Sequence, residues 1–486
     1  MVGADKKNIG GLAAKRRRRN WIIVASVLVM VLVAVTSVAL ILKPWTEEFR
    51  HGGLTIAAAP APTTVSPRVA PAPADAPAPS KAGLAAALGP VVNNPDLGVF
   101  AAVVSDGDTG EVLFSLDPDK PQIPASNAKI LLAAAALLAL PQDQRVTTEV
   151  VTGAAPNELV LVGGGDPTLT AQPDGKGYYQ DGPKLSDLVA QIRASGRTPD
   201  TIVVDTSRYT GPSMAPGWLT EDIAGGSIAP IDPVMLDGGR LEPLRAYSPR
   251  TPTPALDAGR RLAVELGLDP ARVRLGTAPA GATRVAAVQS APLRDRLRDM
   301  MVDSDDVLAE TIAREIAAAT GAEQSFTGAV TGLTTTLRAA GFDLTGVTLA
   351  DGGSGLSVDD RIPARVLDRI ITVATLPNSA GSQGDSSVQG AASVTASPLS
   401  ALLDYLPVAG ATGTLTDRYT VRDRAGAGWV RAKTGTLDVA SSLVGYVLDR
   451  DGRVLTFALM SNERLPGASR PALDAIAATL RNCGCS

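Results

Sequence analysis

The stretch "PQIPASNAKILLAAAALLAL", residues 121–140, places a serine and a lysine three residues apart at the start of a long apolar helix. Side chains at positions i and i+3 lie on the same helix face, so Lys129 is predicted to reach the hydroxyl of Ser126. An N-cap serine followed by a lysine whose stem covers apolar surface would give the same pattern. The Ser126–Lys129 pair is therefore weak evidence for catalysis by itself, and its interpretation depends on the other motifs in the chain.

The histidine and cysteine content of the chain limits which catalytic mechanisms are possible. The sequence contains one histidine, His51, which lies near the N-terminus and far from any folded domain. Ser-His-Asp and Cys-His catalysis are therefore excluded. Only two cysteines are present, Cys483 and Cys485, so the usual zinc sites are disfavoured and we expect neither a metal nor a cofactor. A nucleophilic serine would need another base, for which lysine is the leading candidate.

Two further motifs follow in order. The triplet "SDD", from Ser304 to Asp306, precedes the apolar helix pattern "VLAETIAREI" and could equally be a helix cap. The segment "KTGT", from Lys433 to Thr436, falls on a predicted strand, and its first three residues are expected by chance about 0.1 times in a chain of this size. All three motifs in this order are typical of class A β-lactamases and penicillin-binding proteins.

With these motifs, the sequence resembles the D-alanyl-D-alanine carboxypeptidase/endopeptidase family, the class C low-molecular-mass penicillin-binding proteins of peptidase family S13. The interval of about 175 residues between Lys129 and Ser304 fits, because this family inserts extra domains there, whereas class A β-lactamases keep it much shorter. Three other stretches are typical of the family: "LVGGGDPTL" at 161–169, "DGGSGLSVDDRIPA" at 351–364 and "LPVAGATGTLTDR" at 406–418.

The resemblance implies catalytic roles for the first two motifs. Ser126 would attack the carbonyl between two terminal D-alanines, with neutral Lys129 as the base, to give an acyl-enzyme that water hydrolyses. Burial and the charge of Lys433 would favour the neutral amine of Lys129. Ser304 resembles the family's proton relay to the leaving amine.

The third motif is expected to bind substrate. By resemblance, Lys433, Thr434 and Thr436 hold the terminal carboxylate, and Gly435 leaves room for the peptide along the strand. The backbone N–H groups of Ser126 and Thr436 would form the oxyanion hole.

One residue departs from the family pattern, because Asp306 stands where asparagine is usual. An ionised aspartate accepts hydrogen bonds but cannot donate one to the substrate backbone. Its charge would also favour the ammonium form of Lys129 and slow acylation near neutral pH. An aspartate kept protonated by burial would escape both effects. Asp351 and Ser354, which border the site in this family, could here be plain turn residues.

The pattern of predicted elements indicates an α/β (α+β) fold. A β-hairpin near residue 99, a helical middle and three strands before a terminal helix predict one sheet built from both chain ends. By resemblance this is a serine transpeptidase/β-lactamase-like antiparallel sheet flanked by helices, formed by 84–149 and 290–486. Residues 150–289, with short strands and one helix, are expected to form a smaller inserted domain, and 377–398 a surface loop.

The N-terminus predicts a membrane anchor. Residues 1–20 carry a basic cluster, and 21–43 include an uncharged apolar run long enough to cross a bilayer. The positive-inside rule places 1–20 in the cytoplasm and the rest outside the cell membrane, on the wall side. A cleaved signal peptide would have a shorter apolar region and a small-residue cleavage site. The Pro/Ala-rich stretch within 44–83 predicts an extended linker.

Three functions fit these observations. The favoured one is a serine-type D-Ala-D-Ala carboxypeptidase acting on peptidoglycan stem peptides, with D,D-endopeptidase activity on crosslinks left open and β-lactams as covalent inhibitors. The others are a β-lactamase or esterase on the same fold, and a non-catalytic wall-binding scaffold. The net charge of −4 gives no indication of a nucleic-acid partner.

Overall fold

The computed structural model describes residues 9–45, 76–376 and 396–485, in two units that comprise 1–70 and 71–486. His51, most of the predicted linker and nearly all of the predicted loop 377–398 lie outside the described residues. The first unit contains helix α1, Ile9–Leu42. Its part from Arg16 to Leu42 is long and apolar enough to span a membrane, which confirms the prediction of one N-terminal apolar helix.

The second unit is built around a five-stranded antiparallel sheet. Its strands are β1 Val99–Asp106, β2 Val112–Leu116, β10 Arg431–Leu437, β11 Ala440–Leu448 and β12 Val454–Asn462. They lie in the order β10–β11–β12–β1–β2, so the strands from the two chain ends pair directly. The predicted sheet from both chain ends is therefore confirmed.

Helices cover both faces of this sheet because alternate strand residues point to opposite sides. In β1, Ala101 and Val103 pack into one hydrophobic cluster, and Ala102 and Val104 into the other. The first face carries α3 Ala128–Ala139, α7 Leu293–Asp303, α8 Asp306–Ala319, α9 Phe326–Ala339 and α10 Ala364–Thr375. The second face carries α2 Lys81–Val92 and α13 Pro466–Asn482.

Short elements complete this part of the fold. Strand β3, Pro121–Gln122, pairs with β9, Ile362–Pro363, and the short helices α11, Ala396–Leu399, and α12, Ala401–Asp404, precede β10. Cys483 and Cys485 form a disulfide, a pairing that the sequence left open.

A second, mixed sheet lies between α3 and α7 in the sequence. Its strands are β4 Thr147–Thr152, β5 Glu158–Val162, β6 Thr201–Asp205, β7 Arg274–Leu275 and β8 Arg284–Gln289. They lie in the order β7–β6–β5–β4–β8, and β5 and β6 are parallel. The helices of this segment are α4 Leu185–Ala194, α5 Glu221–Gly225 and α6 Pro254–Leu266.

The prediction of a single helix in this segment is wrong. Helix α6 has 13 residues and begins with Pro254 as its first residue. The prolines before it read as a loop, but proline is favoured at the first helical position because its missing N–H is not needed there. Leu262 and neighbouring small residues of α6 are buried against the second sheet.

A buried ion pair joins α7 to α8. The Arg296 side chain is 1% exposed, and its guanidinium pairs with the Glu315 carboxylate, with Nη2 to Oε2 at 3.1 Å. Its Nε donates to the Ala291 carbonyl at 3.1 Å. These two helices flank Ser304, so their relative position determines where the second sequence motif lies.

We expect Arg296→Ala to lower the free energy of unfolding by about 3–5 kcal/mol, because it leaves the Glu315 charge buried without its partner. The matched control is Arg298→Ala on the same helix, since Arg298 is 51% exposed and its ion pair with Asp299 should contribute under about 1 kcal/mol. Denaturant unfolding of the two variants measures both values. Equal losses would show that the Arg296–Glu315 pair does not hold the two helices together.

Candidate active site

Ser126 lies in a single 3-10 turn, Ala125–Asn127, immediately before α3. The residue before it, Ala125, has a φ of +49°, which is unusual for a residue with a side chain. Two glycines pack against this turn. A Cβ on Gly355 would lie 1.9 Å from the Ala125 carbonyl oxygen, and a Cβ on Gly435 would lie 2.6 Å from the Pro124 carbonyl oxygen. These close approaches hold the Ser126 turn in place.

The contacts of Gly435 give a reason for this glycine that differs from the sequence prediction. Gly435 and Lys433 share one face of β10, and that face is turned toward the protein interior. The space that a side chain at position 435 would need is occupied by the Ser126 turn. Room for a substrate peptide is therefore not what makes glycine necessary here.

Lys129 reaches Ser126, as predicted from their spacing. The Lys129 side chain is fully buried, and its Nζ donates to Ser126 Oγ at 3.2 Å and to the Ser354 carbonyl oxygen at 2.6 Å. Nζ also forms an ion pair with the Asp306 carboxylate. Burial raises the pKa of Asp306, while the charge of Lys129 opposes that rise. Asp306 is therefore a direct neighbour of the candidate base.

Ser304 and Lys433 form a second serine–lysine pair. Ser304 ends α7 with a φ of +60°, and this left-handed conformation separates α7 from α8. Lys433 Nζ donates to Ser304 Oγ at 2.8 Å and to the Thr434 carbonyl oxygen at 2.9 Å. Complete burial, together with the nearby charge of Lys129, holds the pKa of Lys433 well below its usual value.

The middle residue of the second motif, Asp305, is held by the inserted segment. Its carboxylate accepts hydrogen bonds from Arg240 Nη2 at 3.0 Å, from the Tyr179 hydroxyl at 2.8 Å and from the Leu308 backbone N–H at 2.9 Å. Burial works against ionisation, but the charges of Arg240 and Arg250 hold the pKa of Asp305 at about 2. Asp305 is thus an ionised N-cap of α8, and the inserted segment fixes its position.

The "DGGSG" loop, residues 351–355, holds the carbonyl group that accepts a hydrogen bond from Lys129. Glu310 accepts hydrogen bonds from the backbone N–H groups of Gly352 at 3.0 Å and Ser354 at 3.1 Å, and burial raises its pKa to about 7. Asp351 accepts a hydrogen bond from Ser354 Oγ at 2.9 Å. Together they orient the Ser354 carbonyl that receives the Lys129 ammonium.

A cleft of about 950 Å³ opens over these motifs. Ser126, Ser304 and the two threonines of the third motif line it, whereas Lys129 and Lys433 lie beneath its surface. Thr434 Oγ1 donates to Thr414 Oγ1 at 2.7 Å, and Thr436 is exposed to the cleft. The structure thus brings all eight predicted site residues together.

Sequence reasoning missed Arg240, Tyr179 and Glu310. Nothing in the local sequence marks the first two, because their partner Asp305 is more than 60 positions away and meets them only through the fold. Glu310 could have been identified from the sequence, because an acidic residue within the apolar pattern "VLAETIAREI" needs a hydrogen-bonding partner when the helix is buried.

Comparisons with known proteins agree with this geometry. Residues 84–249 and 245–482 match the D-Ala-D-Ala carboxypeptidase 3 (S13) family. The chain is 46% identical over 475 residues to the carboxypeptidase DacB of Mycolicibacterium smegmatis, covering 97% of this chain and 98% of the relative. It is 47% identical over 442 residues to the carboxypeptidase Rv3627c of Mycobacterium tuberculosis, covering 90% and 92%.

A solved structure supports the fold. Penicillin binding protein 4 (dacB) from Haemophilus influenzae superimposes with a TM-score of 0.64 at 18% identity, covering 81% of this chain and 97% of that protein. The predicted transpeptidase-like fold is thereby confirmed, as is the resemblance to the S13 family.

The Asp306–Lys129 contact predicts a pH effect. Asp306→Asn removes a negative charge that stabilises the Lys129 ammonium, so the neutral amine should become available at lower pH. We expect the acidic limb of the pH–rate profile for penicillin acylation to move to lower pH and the rate at pH 7 to rise. Stopped-flow acylation from pH 5 to 10 measures both.

Asp187→Asn is the matched control, because it removes the same charge at an exposed position of α4, outside the cleft, and should leave the profile unchanged. If the acidic limb of the Asp306→Asn profile does not move, or moves to higher pH, then the Asp306 carboxylate does not stabilise the ammonium form of Lys129.

Proposed function

Because the chain belongs to the D-Ala-D-Ala carboxypeptidase 3 (S13) family, we propose a residue-by-residue mechanism for its activity. The protein is a serine D,D-peptidase that hydrolyses the D-Ala-D-Ala bond of peptidoglycan stem peptides through an acyl-enzyme. The observation that carries the mechanism is the 3.2 Å contact between Ser126 Oγ and Lys129 Nζ at the floor of the cleft. A serine of this kind needs an adjacent base, and Lys129 is the base within reach.

In acylation, Ser126 Oγ bonds to the carbonyl carbon of the penultimate D-alanine while its proton passes to neutral Lys129. The C–N bond then breaks, and the leaving amine takes a proton from the hydroxyl of Ser304. The proton that Lys129 took from Ser126 returns to Ser304 through Lys433, whose Nζ lies 2.8 Å from Ser304 Oγ, so both lysines end the step as they began. One proton is taken from Ser126 and one is given to the amine, so the charge of the enzyme is unchanged over this step. Water then cleaves the ester.

The cleft supplies binding groups for the same substrate. Backbone N–H groups of Ser126 and Thr436 stabilise the oxyanion. Thr434 and Thr436 face the cleft and bind the terminal carboxylate of the peptide. A β-lactam, whose carbonyl resembles the scissile amide, acylates Ser126 in the same way.

The topology follows from α1. Its apolar part spans the cell membrane, the basic residues before it stay in the cytoplasm, and the catalytic unit lies on the wall side. This orientation is supported by the arginines at positions 16–19, directly before the apolar run.

We expect the protein to release D-alanine from a pentapeptide stem and to form a stable adduct with a labelled penicillin, and Ser126→Ala to abolish both. The loss of release should exceed about 1,000-fold, as for other catalytic nucleophiles. Mass spectrometry of the labelled peptide locates the adduct. Ser195→Ala, at an exposed site in the inserted segment, is the control and should behave as the native protein.

Other outcomes of this experiment would overturn the proposal. Rapid turnover of penicillin without D-alanine release would identify a β-lactamase. Absence of both reactions in the native protein would identify a non-catalytic scaffold.

The topology is tested separately. Protease added to wall-stripped cells should release a soluble fragment that still liberates D-alanine, while a tag on the N-terminus remains protected inside. Cells lysed before protease treatment serve as the control, in which the tag is also lost. A catalytic fragment that is protected in intact cells would reverse the orientation.

A further inference from the structure

The charge of the substrate carboxylate needs a partner that the third motif does not provide. Lys433, the residue expected to supply it, is fully buried and does not line the cleft. Its Nζ is already bonded to Ser304 and to the Thr434 carbonyl. Thr434 and Thr436 offer hydroxyl groups to the cleft but no charge.

Arg470 is a cation in the wall of the same cleft. It lies in the first turns of α13, is half-buried, and its guanidinium makes no hydrogen bond or ion pair with any residue in the described part of the chain. Burial and the neighbouring charge of Arg418 lower the pKa of Arg470. A guanidinium destabilised in this way is one that an incoming anion stabilises.

Hydrogen bonds place Arg470 close to the third motif. Its neighbour Ser469 donates from Oγ to Ser441 Oγ at 2.8 Å. Ser441 on β11 is the cross-strand partner of Thr436 on β10. The start of α13 is therefore held against the strand pair that carries Thr436.

The carboxylates beside Arg470 do not form an ion pair with it. Arg418, which also lines the cleft, is neutralised by Asp474, with Nε to Oδ2 at 2.9 Å. The charge of Asp474 is thus compensated mainly by Arg418, although Asp474 also favours the charged form of Arg470 from a distance. Asp438 lies in the same wall but makes no ion pair with Arg470 or with any other described residue.

We propose that Arg470 binds the C-terminal carboxylate of the substrate and makes the enzyme prefer stems with a free carboxylate over stems whose C-terminus is blocked. This assignment rests on the proposed D,D-peptidase function and adds a specificity-determining residue to it. Arg470 acts with the hydroxyls of Thr434 and Thr436, which orient the carboxylate, while Arg470 compensates its charge.

The test compares two tripeptides that differ only at the C-terminus, the monoanion N-acetyl-glycyl-D-Ala-D-Ala and its neutral C-terminal amide, hydrolysed by the full-length protein in detergent. For Arg470→Gln we expect kcat/KM on the free acid to fall about 10- to 100-fold, mainly through KM, which is the effect of losing a hydrogen bond to a charged group. The amide should change less than about 2-fold. Arg470→Lys keeps the charge and should retain part of the preference.

Arg464→Gln is the matched control, because it removes the same charge just before α13 and outside the cleft. It should leave both substrates unaffected. An equal fall for acid and amide in Arg470→Gln, or no change in either, would overturn the carboxylate assignment and leave the proposed function intact. No D-alanine release from the acid by the native protein would overturn both.

Discussion

The burial of two lysines side by side is the constraint on which the active site depends. Lys129 and Lys433 are both fully buried, and Asp306 is the carboxylate that contacts Lys129 directly. Two ammonium groups in a low-dielectric site cannot both be charged at low cost, and they titrate as a coupled pair. Burial and the neighbouring Lys129 charge lower the pKa of Lys433, so Lys433 gives up a proton more readily than an ordinary lysine does. Each lysine holds a serine, so the protonation of one pair is linked to that of the other.

The inserted segment contributes to this arrangement directly. Arg240 lies 3.4 Å from the centroid of the Tyr178 ring and donates to both Asp305 and the Tyr179 hydroxyl. Asp305 in turn caps α8, which begins immediately after the left-handed Ser304. An ion pair buried this well is stabilising only while both partners are present. The insert therefore fixes the conformation of the second motif.

Much of the fold and most of the site followed from the sequence, because the signals were local. The β-hairpin near residue 99 and the S-x-x-K spacing are local patterns, and the structure contains both. The features that the sequence analysis missed depend on contacts between residues far apart in the sequence. Helix α6 begins at a proline that reads as a loop, and Arg240 has no local pattern that points to Asp305. The sequence explained Gly435 by the room it leaves for the substrate peptide, whereas in the structure this glycine is needed because the Ser126 turn packs against it.

The small side chains of this protein explain how so many polar groups can lie close together in the active site. Aromatic residues make up only 3% of the sequence, and α3 is rich in alanine. Alanine and glycine let backbones approach closely, so the turn at Ser126 can pack against both Gly355 and Gly435. That proximity excludes water from Lys129 and brings the Ser354 carbonyl within 2.6 Å of its Nζ. A bulkier core would separate these segments, expose the lysine to water and remove its contact with the Ser354 carbonyl.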